Sequence, residues 1–176
     1  MTFLRESNVA HDSALPAALN PALSSSYHNR YDSAAVLTSV LASVQEQLSS
    51  FAQSENAIAQ VLNLFNTAKA TDVENLLYAW TAGDFSALPN FEILDDAAMR
   101  GAQGAFAAET NTVYLNETVM PLPEGTLIDP LLGATSIGAT GIAIEEIGHS
   151  LDIVWNLDGD TAGDEGELFA ALVLGV

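Results

Sequence analysis

The chain of 176 residues contains no cysteine. That excludes disulfides, thiolate zinc sites and thiol nucleophiles together. Cations are scarce as well: 4 Lys and Arg stand against 23 Asp and Glu, a formal net charge of −19. A surface of that sign repels nucleic acid and anionic membrane, so neither is expected as a partner. It suits divalent cations, high-salt surroundings or secretion, and the expected location is extracellular. No apolar run is long enough to span a bilayer, so membrane insertion is not expected; residues 131–144 come nearest but hold Gly, Ser and Thr. The N-terminal segment has Arg5 and Glu6 and no apolar h-region, so it is not a Sec signal peptide. Phosphate-binding glycine loops and the G-x-S-x-G turn of serine hydrolases are also missing.

What the chain does have is core. Apolar residues make up 49% and mean hydropathy is +0.23. That composition suits a globular domain, and the length suits a single one. Residues 1–30 show no periodicity and read as a loose arm, in which His11 and His28 lack any neighbouring ligand pattern.

Helical stripes follow. Leu37, Val40, Leu41, Val44, Leu48 and Phe51 mark a first helix, capped by Asp32 or Ser33. Ile58, Val61, Leu62 and Phe65 mark a second, with Glu55 in its first turn. Val73, Leu76, Leu77 and Trp80 mark a third, capped by Thr71 or Asp72 and stopped at Gly83. The texture then changes. Residues 91–94 read as extended and residues 95–100 as a helical turn. Two further extended pieces, 105–108 and 112–115, flank Glu109-Thr110-Asn111 as a hairpin. Val113 and Leu115 share one face of it, Thr112 and Tyr114 the other. A helix is expected to restart near Ile128, and residues 133–141 to form a small, flexible link.

After the link comes Ile142-Ala-Ile-Glu-Glu-Ile-Gly-His-Ser-Leu-Asp152, read as a helix. Glu145 and His149 are four residues apart and share a face, with Glu146 beside them. Ile142, Ile147, Leu151 and Val154 are expected to bury the rest. Two adjacent acids in an apolar helix leave at least one facing inward, and a buried carboxylate needs a metal, a His or backbone donors. A core Glu–His pair without metal satisfies the same pattern. The loop from Asn156 onward is acidic and ends in a short apolar helix from Glu167 to Val176. That apolar ending suggests a fragment of a longer chain. Asn156, Asp158, Asp160 and Glu167 fall at positions 1, 3, 5 and 12 of an EF-hand loop, but Thr161 stands where the turn glycine belongs. A looser calcium site among Asp158, Asp160 and Asp164 is the alternative.

The order strand, strand, loop, helix with Glu145-Glu-Ile-Gly-His149, acidic loop, helix resembles the active-site half of a zincin metallopeptidase. The segments 104–116, 145–152 and 163–173 carry the likeness. The type resembled is found in large secreted bacterial, especially cyanobacterial, calcium-binding repeat proteins. The GHxxD and ExxFA portions are similar to lethal-factor-type zincins. In the zincin motif HExxH two His bind zinc and the Glu is the general base. The resemblance therefore implies His149 as a zinc ligand, Glu145 in the place of the first His, and Glu165 or Glu167 as third ligand. It implies Glu146 as catalytic base and Asp152 as a supporting acid behind the ligands. The 112–115 strand would edge the cleft and hold a peptide or protein substrate by strand addition.

The expected fold is α+β, with a helical half over residues 31–83 packed on a sheet and active-site half over residues 84–176. The expected activity is metal-dependent peptide hydrolysis, with zinc as cofactor. The competing reading is a non-catalytic zincin-like module that binds calcium within a larger secreted protein.

Overall fold

The computed structural model describes residues 33–66, 68–120, 137–156 and 164–176. The expected N-terminal arm, the helix near Ile128, and Asp158 and Asp160 lie outside them. Six helices and one three-stranded sheet make up the described residues, an α+β architecture as expected. Helices α1 (Ser33–Ala52), α2 (Ala57–Leu64) and α3 (Ala70–Thr81) come first. Val40, Val44, Leu48 and Phe51 are the buried stripe of α1, and Val73, Leu77 and Trp80 that of α3. Both stripes recur at three- and four-residue steps, the spacing of one helix face. On α2 the buried face is Ala57 and Val61, continued by Phe65 beyond its end, while Ile58 is exposed. Glu55 precedes α2, and the residue before α3 is Lys69, with Asp72 inside its first turn.

The sheet contains β1 (Asn90–Leu94), β2 (Gly104–Ala107) and β3 (Thr112–Asn116) in the order β1-β3-β2. β3 runs parallel to β1 and antiparallel to β2. Asp95 caps the four-residue helix α4 (Asp96–Met99) by accepting from the Ala98 N–H at 2.7 Å. The β2–β3 hairpin turns at Asn111, whose φ of +48° is a conformation Asn adopts readily. Val113 and Leu115 are fully buried on one face, and Thr112 is buried too. β3 is the central strand, paired on both sides, so the expectation that residues 112–115 edge the cleft is overturned. The edge strands are β1 and β2. Strand order depends on pairings distant in sequence, which periodicity does not carry.

Helix α5 (Ile137–Trp155) is the centre of the molecule and packs against α6, α1, β2 and β3. It starts five residues before Ile142, so part of the expected flexible link is helix. Ala139, Ala143, Ile144 and Ile147 are fully buried, whereas Val154, expected inside, is 65% exposed. Helix α6 (Glu165–Leu174) lies against α5 and sends Phe169 into the core. The Phe169 ring meets Phe51, Phe65 and Trp80 at centroid distances of 6.3, 5.9 and 6.4 Å, which ties α6 to the helical half. No helix among the described residues is long and apolar enough to cross a membrane.

Candidate metal centre

The contact between α5 and α6 creates the site. Two glycines permit it. A Cβ on Gly148 would stand 2.8 Å from the Gly166 Cα and 2.9 Å from the Phe169 Cβ. A Cβ on Gly166 would stand 2.5 Å from His149 Nε2 and 2.7 Å from the Glu145 carbonyl oxygen. Real Cβ atoms do not approach so closely, so the helices meet backbone to backbone. The first turn of α6 therefore lies directly over the face of α5 that carries Glu145 and His149.

Asp164 is the N-cap of α6. Its carboxylate accepts from the Glu167 N–H at 3.1 Å, which satisfies one of the unpaired donors at the helix start. The same carboxylate lies 3.6 Å from His149 Nε2. One ligand atom each from Glu145, His149 and Asp164 lie within 4.8 Å of one another. Donors bound tetrahedrally at about 2 Å from zinc sit about 3.4 Å apart, so this spacing fits an ion after small side-chain rotations. Gly166 leaves the space beside Nε2 that a side chain would fill. The His149 and Asp164 side chains are 25% and 45% exposed, so the group opens to solvent on one side. These three residues can hold a metal ion.

The electrostatics favour a cation there. The Glu145 carboxyl is raised from its usual value by burial first, then by the charges of Asp164 and Glu167. Glu146 is only 7% exposed. Burial, and then the neighbouring Glu145, push its carboxyl up to about 8, against the opposing hydrogen bond from the Phe106 N–H. The charges acting on both groups are carboxylates. A divalent ion would relieve that repulsion directly.

No family model, curated protein or solved structure matches the chain.

The sequence-derived residues are thus distributed as follows. Glu145 and His149 come together with Asp164, which the sequence placed among the calcium ligands. Glu146 is the inward-facing acid, beside the group and against β2. Glu165 and Glu167 lie in the first turn of α6, Glu165 buried and Glu167 exposed, outside the three-residue group. Acids at that position also complement the helix dipole. Asp152 is buried near the C-terminal end of α5. The contributions the sequence reading missed are Gly148, Gly166 and Gly104. Their signal was glycine inside or beside otherwise regular elements, which marks close backbone approach. Past the centre, an open groove of about 410 Å³ runs between β2 and the C-terminal half of α5. Phe106, Ala108, Leu151, Val154 and Trp155 line it, with Leu76 from α3.

Proposed function

We propose that the chain is a zincin-like, metal-dependent peptide hydrolase of the extracellular space. The observation that carries this reading is the convergence of Glu145, His149 and Asp164 around one point, with the buried Glu146 next to them. A bound zinc ion supplies Lewis acidity, lowering the pKa of water and polarising a carbonyl. Glu146 takes the proton of the attacking water and returns it to the leaving amine. β2, an outer strand of the sheet among the described residues, aligns an extended peptide by backbone hydrogen bonds. The groove lined by Phe106 and Val154 takes an apolar side chain of that peptide. The net charge of −19 supports an extracellular setting, where high salt screens self-repulsion.

A second reading has its own support. Two of the three donors are carboxylates, which makes the centre harder and more anionic than a site with two His. Such a centre suits calcium in a non-catalytic module of a larger protein. Metal analysis of the purified protein and peptidase assays of wild type and Glu146→Gln separate the two. The hydrolase reading expects bound zinc, chelator-sensitive activity and loss of at least about a hundredfold in kcat for Glu146→Gln. Calcium preference without any chelator-sensitive cleavage would sink it.

A further inference from the structure

Gly104 and Phe106 of β2, and Ala108 just past its end, alternate onto one face of the sheet. On that face Gly104 lies against α5: a Cβ placed on it would be 2.5 Å from Ile142 Cγ2 and 2.7 Å from Glu146 Oε1. Phe106 and Ala108 line the groove, as do Ser150 and Val154, about one and two turns past Glu146 on α5. Strand and helix thus run side by side from the contact at Glu146 into the groove. At 1.5 Å per residue along the helix, the groove begins about 6 Å from Glu146 and reaches about 12 Å. In an extended peptide of about 3.3 Å per residue, that is about two to four residues away.

Helix α3 adds a wall through Asp72 and Leu76, one turn apart on the same face. Asp72 is the one charged residue that lines the groove. Its carboxylate is exposed and in no ion pair among the described residues. The Ser150 hydroxyl is already used, donating to the Ile147 carbonyl at 2.7 Å. Ile153 and Val154 line the same groove although they are 52% and 65% exposed, so apolar surface stands uncovered there. Trp155 contributes an indole, whose ring attracts cations. The net charge of −19 draws cations to the surface as a whole.

We propose that the groove selects basic, amphipathic peptides, taking an apolar side chain between Phe106 and Val154 and pairing a Lys or Arg two residues away with Asp72. This rests on the peptide-hydrolase reading and names the substrate class of that site, with Asp72 as a specificity-determining residue. Alternate side chains of an extended peptide share a face, about 7 Å apart, so one groove admits both. An exposed ion pair contributes modestly, so Asp72 sets a preference and the apolar walls supply most of the affinity.

Magnetic resonance of the 15N-labelled full chain in chelator reads this without any activity. The two tryptophans give two indole N–H signals, one from Trp155 in the groove and one from the fully buried Trp80. The probes are three N-acetylated octapeptides, alike except that Lys, norleucine or Glu stands two residues from a Leu. The Trp155 signal should shift on titration, with the Lys peptide bound about two- to fivefold tighter than the norleucine one and the Glu peptide weakest. Asp72→Lys should reverse that order. Glu74→Lys, equal in net charge but outside the groove lining, should keep it. No shift of Trp155 with any peptide, equal affinities, or a reversal by Glu74→Lys as well overturns the proposal. An order that survives Asp72→Lys also overturns it and leaves Asp72 only its place at the start of α3. A Lys preference that Asp72→Lys reverses, in a chain whose zinc-loaded form cleaves nothing, would remove the hydrolase reading and leave the selectivity of the groove standing.

Discussion

His149 has two ways to be satisfied, by the Asp164 carboxylate alone or by an ion shared with Asp164 and Glu145. The geometry suits both, at 3.6 Å from Asp164 and within 4.8 Å of each donor. They differ in what substitution does. If an ion is shared, His149→Ala weakens zinc binding by more than about a hundredfold, beyond the loss typical of residues behind the ligands. Calorimetric titration measures this, and unchanged affinity would return His149 to a simple contact with Asp164. Glu146 makes a prediction of its own about pH. Its carboxyl is raised from the ordinary 4.5 to about 8, first by burial and then by Glu145. The folded pKa is thus above the unfolded one. The stability it contributes is full below about 4.5 and is lost as pH rises through about 8. Glu145, raised in the same direction, adds to the trend. In chelator, the melting temperature should fall between about pH 5 and pH 8, and Glu146→Gln should flatten the fall. A wild-type curve that is level or rising over that range contradicts the burial argument.

The α5–α6 pair converts a sequence spacing into a site. Gly148 and Gly166 meet with no room for a Cβ, and Gly166 also clears the ring of His149. Gly148→Ala and Gly166→Ala should each destabilise by about 1–3 kcal/mol, the usual cost of overpacking. Both should lower metal affinity by shifting α6, and Gly166→Ala more so, because its methyl group would also press on His149. Denaturant melts and metal titration of the two variants check this; equal effects on affinity would contradict it.

The contrast shows what the sequence could carry. The helical stripes of α1 and α3, the β2–β3 hairpin and the shared face of Glu145 and His149 are local patterns, and local geometry enforces them. Asp164 as the third donor was not legible, because its place depends on where α6 starts and how closely α6 approaches α5. The central position of β3 was hidden for the same reason. The early start of α5 was missed because Gly138 and Gly141 read as breakers, whereas the packing of α5 against α6, α1 and the sheet holds that stretch helical.

At the scale of the whole molecule, Phe169 links the site to the rest of the core. Its ring packs against Phe51, Phe65 and Trp80, and Phe65 in turn meets Trp155 at 5.2 Å. Phe169→Ala should cost about 3–5 kcal/mol and should also weaken metal binding, since α6 would no longer be held over α5. Thermal melts with and without zinc measure both effects. The metal should stabilise the entire fold, because Glu145 and His149 are on the central helix and Asp164 starts the last one. At a hundred times its dissociation constant, zinc should add about 2.7 kcal/mol, or about 5–10 °C in melting temperature.

Elemental analysis joined to X-ray absorption of zinc-loaded protein examines the centre itself. The account predicts a single zinc per chain, with nitrogen and oxygen donors at about 2.0–2.2 Å, an imidazole signature, and loss of the ion in both His149→Ala and Asp164→Ala. No stoichiometric metal, or an ion that persists in both variants, would contradict it.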